Sequence, residues 1–279
     1  MSQTRVIKLV LTGQPSTDGA GVRLYRVFGY HQINQFDPFL MLDHFGSNDP
    51  KDYLPGFPWH PHRGIETITY MRSGTAEHGD SIGNSGVIGP GDVQWMTAGS
   101  GIIHQEMPKP DEKGRMFGFQ LWTNLPASQK MMPPRYRDVL AAEIPEIKSS
   151  ASHIKVISGE VFGTRGPVQD IVTDPHYYII RMPASDVLEL PVDPSYTCFV
   201  YCYEGGIKIG PKIVSDHQVA LLTDGDVVRI EATHKGGHFL FLSGKPLGEP
   251  VAWGGPIVMN TKEELRLAFK ELEEGKFIK

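Results

Sequence analysis

Cysteine is nearly missing from this sequence: 279 residues contain two, Cys198 and Cys202. Read as a strand, the run Thr-Cys-Phe-Val-Tyr-Cys-Tyr separates them by roughly 13 Å, beyond disulfide reach. Two reduced core thiols in a cytoplasmic protein are expected, with a nuclear location open if the source is eukaryotic. Basic runs are missing too; 27 basic residues face 32 acidic ones, net −5. A protein that lives on phosphate contacts needs a positive surface, so no direct nucleic-acid partner is expected. No apolar run approaches the about 18 residues of a membrane helix. The start breaks its short apolar stretch with Lys8 and has no small-residue cleavage site, so no secretory signal is expected. Phosphate loop, nucleophile elbow and Cys-x-x-Cys are all lacking.

What is present is turn chemistry and short strands. There are 31 glycines and 22 prolines, with 40% hydrophobic and 10% aromatic residues. Strand-length runs recur at Val22–Phe28, Phe39–Leu42, Ile65–Met71, Gly118–Thr123, Ile154–Ser158, Tyr177–Met182, Phe199–Tyr203, Val219–Thr223, Val227–Glu231 and His238–Ser243. That spacing predicts a β-sandwich or barrel. Helical period is clear at the end, where Leu265, Ala268, Phe269 and Leu272 follow the capping box Thr261-x-x-Glu264. A helix over 261–274 is expected, and a weaker helical candidate follows Ser128. Prolines and small polar residues over 126–152 read as a linker.

The two halves repeat. Tyr70-x-x-x-Gly74, Gly91-Asp92-Val93 and His104 are matched by Tyr201-x-x-x-Gly205, Gly225-Asp226-Val227 and His238. The spacing from Asp to His is the same in both. Duplication of one β-domain follows, giving 1–135 and 136–279 as the two domains.

Chemistry concentrates in the first half. In Trp59-His60-Pro61-His62-Arg63-Gly64, His60 and His62 stand at i and i+2 of an extended segment, on one face and roughly 7 Å apart. Two imidazoles so placed can share one ion. His104-Gln105-Glu106 offers a second pair of the same kind, which together makes a site of three nitrogens and one oxygen. A lone His-x-His is weak; two such pairs are much stronger.

These residues resemble the pirin family of the cupin superfamily. The likeness rests on Asp37-Pro38-Phe39-Leu40, on Phe57-Pro58-x-His60-Pro61-His62-Arg63-Gly64-x-Glu66-Thr67, and above all on the stretch from Pro90 to Pro108. Gln120-Leu121-Trp122-x-Asn124-Leu125, Val156-Ile157-Ser158-Gly159-Glu160 and Pro256-x-Val258-Met259-Asn260-Thr261 extend it over nearly the whole chain. The resemblance implies an all-β fold of two tandem cupin barrels with a C-terminal helix. It also implies one metal in the N-terminal barrel, held by His60, His62, His104 and Glu106. The general cupin pattern would take its carboxylate from Glu66 instead. By strand parity Glu66 faces the side of His60 and His62, but four residues past His62 is roughly 13 Å along a strand. Glu106 is favoured as ligand and Glu66 as a hydrogen-bonding partner behind it.

In the second half the positions of His60, His62 and Glu106 fall on Pro191, Asp193 and Leu240, so that barrel is expected to be metal-free. His44 is expected to make a core hydrogen bond, and His78, His176, His217 and His234 to be solvated. Trp59, Trp95 and Met96 are expected to pack; Phe57, Trp95 and Met96 would suit a flat aromatic substrate where they face the cavity.

A His₃Glu site with open positions suits Fe(II), the expected ion, and also Mn, Co, Ni, Cu or Zn. The resemblance implies a flavonol (quercetin) 2,4-dioxygenase acting on a small aromatic substrate with O₂, in which Glu106 accepts a substrate proton. The alternative is a redox-sensing regulator that binds a transcription factor or a metabolic enzyme through the surface near the metal. A monomer without a membrane partner is expected.

Overall fold

The computed structural model describes residues 2–169, 171 and 173–279. The chain divides into two compact units, and neither is one stretch of sequence. The first unit comprises residues 15–33, 39–141 and 247–279; the second comprises 34–38, 142–246 and the segment ending at Gln14. The expected division into 1–135 and 136–279 differs from this at both ends of the chain. The cause at the N-terminus is strand pairing. Ile7–Thr12 lies antiparallel to Gln218–Leu222, with Val10 opposite Ala220, and the buried Arg5 guanidinium donates to the carbonyls of Gly225, Tyr196 and Asp193. Nothing in local periodicity announces a partner two hundred residues away.

The first unit is dominated by two antiparallel sheets, with a two-stranded one at Ala252–Gly254 and Ile257–Met259. A seven-stranded sheet runs in the order Arg135–Val139, Val93–Thr97, Ile65–Ser73, Met116–Asn124, Phe39–Ser47, Val22–Phe28, Gln14–Asp18. A four-stranded sheet has the order Phe57–His62, Ile102–Lys109, Thr75–Asp80, Ser85–Ile88. The region expected as a linker therefore carries a strand, Arg135–Val139, paired residue for residue with Val93–Thr97. Its alternation was hidden because Tyr136 is set among charged residues. The helical candidate after Ser128 is a single 3₁₀ turn, Ala127–Gln129, which the prolines at 133 and 134 leave no room to extend.

In the second unit a nine-stranded sheet surrounds an apolar core that includes Tyr178, Val200, Phe239 and Phe241. The two strands expected at Val227–Glu231 and His238–Ser243 form one continuous strand, Val227–Gly244. The repeat survives in three dimensions: Gly74, just past the strand of Tyr70, and Gly205, within the strand of Tyr201, both take positive φ, +72° and +78°.

The C-terminal helix, Lys262–Glu273, starts where the capping box places it. The Thr261 hydroxyl accepts from the Glu264 amide at 3.1 Å and the Glu264 carboxylate accepts from the Thr261 amide at 2.9 Å. Among the described residues no helix is long and apolar enough to cross a membrane.

Candidate metal centre

His60 and His62 end one strand of the four-stranded sheet, and His104 lies on the next, directly opposite His60. Pro61 between the first two holds the extended geometry that keeps both imidazoles on one face. Ring centroids stand 4.8 Å (His60–His62), 4.4 Å (His60–His104) and 5.1 Å (His62–His104) apart. One ring nitrogen from each lies within 4.8 Å of the others, a grouping fit for one metal ion.

Each imidazole has its Nδ1 occupied. That of His60 pairs with the Pro58 carbonyl at 2.8 Å, that of His62 with the Pro256 carbonyl at 3.1 Å, and that of His104 with the Tyr136 hydroxyl at 3.2 Å. A carbonyl can only accept, so His60 and His62 carry their protons on Nδ1 and leave Nε2 bare. The Nε2 of His104 is buried and has no hydrogen-bond partner. A buried nitrogen left unsatisfied beside two bare ones fits a metal ligand set. Burial, then the neighbouring His60, pushes His62 down to about 3, with the Pro256 bond opposing. Burial, followed by the other histidines, takes His104 well below its ordinary value. Both rings are neutral at pH 7, the form that binds metal.

Glu106 follows on the strand of His104. Against Thr75–Asp80 the register of that strand is unbroken, so His104 and Glu106 share a face. The irregularity lies in the partner strand, near Pro58 and Trp59. Glu106 lines the same cavity as His60 and His62, and its Oε1 accepts from the Thr69 hydroxyl at 3.1 Å. Burial raises its pKa, opposed by His60, Thr69 and His78 in that order.

Glu66 is elsewhere. The chain turns at Gly64 (φ +78°), where a Cβ would meet the Val258 carbonyl oxygen at 2.0 Å, and enters the other sheet. Parity counted from His62 does not carry through that corner. Along Ile65–Ser73, Thr69 and Met71 line the cavity, so Glu66 points to the opposite face. There it is wholly buried and accepts from Thr97 at 2.6 Å and Thr123 at 3.4 Å. Burial raises its pKa, opposed by Thr97, Trp95, Arg135 and Thr123. It bonds no metal-site histidine, contrary to the role expected for it.

The cavity has a volume of about 780 Å³. Leu24, Met41, Phe45, Phe57, Trp122 and Trp253 supply apolar wall, while Trp95 and Met96 do not reach it. Trp122 packs edge-on to His62 at 5.0 Å and tilts against Trp253 at 5.9 Å. Arg26 forks onto both oxygens of Asp43 at 2.9 and 2.8 Å and reaches Asp18 at 2.7 Å, an ionic cluster in the same wall. Burial pushes Asp43 up to about 6, with the Arg26 bond opposing.

His78, expected to be solvated, is buried on Thr75–Asp80 and stacked on Tyr136 at 5.4 Å. His44 packs on Phe119 at 4.7 Å inside the seven-stranded sheet and does not line the cavity. Tyr136, Thr69 and Trp253 were missed by motif reasoning, and Pro256, though part of the family likeness, was given no role; none of them has a spacing signal.

Two family models match the chain: Pirin over residues 21–123, and the Pirin C-terminal cupin domain over 177–278. A pirin-like protein of Caulobacter vibrioides is 46% identical over 275 residues, spanning 98% of this chain and 99% of that one. Human pirin is 36% identical over 282 residues, covering 99% of this chain and 95% of its own. The crystal structure of a quercetin 2,3-dioxygenase from Acinetobacter baumannii superposes with a TM-score of 0.91 at 33% identity, covering 99% of each chain. With two cupin domains in tandem and a helix at its end, the chain belongs to the pirin family of the cupin superfamily.

Proposed function

We propose that this protein is a metal-dependent dioxygenase that opens a flat, hydroxylated aromatic substrate of the flavonol class, with His60, His62, His104 and Glu106 holding the metal. The observation that carries this reading is the convergence of three imidazoles, each with Nδ1 engaged, beside a cavity of about 780 Å³ that Glu106 also lines. That size suits a small organic ligand. The likeness to the Acinetobacter enzyme supports the substrate class.

A divalent transition metal, Fe(II) being the expected ion, would supply Lewis acidity toward a substrate hydroxyl and redox chemistry with dioxygen. The chain's own groups do the rest. Trp122 and Trp253 hold the rings and keep water away. Glu106, made more basic by burial, takes the substrate's hydroxyl proton on a carboxylate oxygen. Neutral His62 and His104 offer lone pairs without first shedding protons.

The test is oxygen uptake with quercetin at stoichiometric Fe(II). Turnover that disappears in Glu106→Ala is expected. Metal bound at one per chain without uptake would overturn the enzyme reading and point to a regulatory metal protein.

A further inference from the structure

Glu106 is seated by two residues that no motif singles out. The Thr69 hydroxyl lies 3.1 Å from Glu106 Oε1 and 2.6 Å from Gln120 Oε1. A hydroxyl has one proton and cannot donate to both oxygens. Half a turn of the Gln120 carboxamide removes the conflict, because its oxygen and nitrogen exchange places. Gln120 Nε2–H then donates to Thr69 Oγ1, and Thr69 donates to Glu106 Oε1. Each bond of the relay then has one donor and one acceptor.

The placement of the three residues gives that relay a purpose. Thr69 and Gln120 face each other in register on neighbouring strands of the seven-stranded sheet. Glu106 belongs to the four-stranded sheet. All three line the cavity, so the relay ties one wall to the other beside the histidines. A free glutamate must be ordered when it binds a metal, at a cost in rotamer entropy. One already pinned through Oε1 has met that cost on folding.

We propose that Gln120 and Thr69 are positioning residues that seat the Glu106 carboxylate, holding Oε1 so that Oε2 is left for the metal. This rests on the reading of Glu106 as a ligand. Thr69→Val keeps shape and strand preference while removing the hydroxyl, so the fold should survive it.

The experiment is a double-mutant cycle on the full chain, read as Zn(II) affinity by competition with a chelator. Thr69→Val is expected to weaken binding about tenfold, the lower range for a residue that orients a ligand. Thr69→Ser should restore it. In a Glu106→Ala background Thr69→Val should cost nothing more. Gln120→Leu should weaken binding in the same direction and add little to Thr69→Val. Equal losses from Thr69→Val with and without Glu106 would show that Thr69 acts on the fold, which overturns the relay. If Glu106→Ala weakens binding and Thr69→Val does not, the relay alone falls and the ligand assignment stands. Unchanged affinity in Glu106→Ala overturns both.

Discussion

The two units share a strand plan and the same Tyr-x-x-x-Gly and Gly-Asp turns, yet they use their interiors differently. In the first, three histidines cluster within reach of one ion, and His60, His62 and Glu106 line a cavity. In the second, Leu240 stands where Glu106 would and is wholly buried, while its strand neighbours Phe239 and Phe241 belong to the apolar core with Tyr178 and Val200. His238, the counterpart of His104, sits half-exposed beside Glu204 at 3.5 Å. The repeat carries a cluster of three histidines in one copy and an extended apolar core in the other. A few side chains separate the two, since apolar residues of strand length satisfy the frame equally well.

The sharpest way to break this comparison is metal counting. His62→Ala should abolish tight binding and His238→Ala should leave one metal per chain, measured by elemental analysis of untagged protein. Two metals per chain in the wild type would end the asymmetry.

Glu106→Gln comes next. Turnover should fall by about 10²–10⁴, as for loss of a general base. Its effect on metal affinity should depend on pH. Burial raises the Glu106 pKa, so below that raised value the wild-type side chain carries a proton in the free protein and loses its charge advantage. The affinity curves of wild type and variant should therefore converge on acidification, starting above the ordinary glutamate range. Parallel curves down to pH 4 would argue that Glu106 is not a ligand.

Tyr136→Phe removes the partner of His104 Nδ1 and should weaken metal binding by roughly 10–100-fold while the fold persists. Unchanged affinity would mean that packing alone orients His104.

Glu66→Gln should have the smallest effect on the site. Its amide would face the hydroxyl donors of Thr97 and Thr123, at a cost of about 1–3 kcal/mol in stability. Metal affinity should stay within about twofold, as for a residue that touches no ligand. Loss of metal in this variant would restore the generic cupin assignment.

Much of this was legible beforehand because it is local. The capping box fixes the start of the last helix, and His60-Pro61-His62 is a same-face pair through pure strand geometry. Glu106 could be placed from His104 because their strand is regular. Glu66 was misplaced because a left-handed glycine sits between it and His62, and parity does not pass through such a corner. Tyr136 was lost in a segment read as linker, since one aromatic among charges carries no period. The Pro256 carbonyl and Trp253 are some two hundred residues from His60 and His62, and only tertiary structure brings them to the same cavity.

That distance has a consequence for how the protein is made. The clustered histidines leave the ribosome first; the Pro256 carbonyl that accepts from His62 and the Phe277 carbonyl that accepts from the adjoining Arg63 guanidinium leave last. At common translation rates the interval from Glu106 to Phe277 is roughly ten to thirty seconds. During synthesis the histidines exist without these contacts, so the cluster reaches its final geometry only when the chain is complete, and a stalled nascent polypeptide carries the histidines but not the finished cluster.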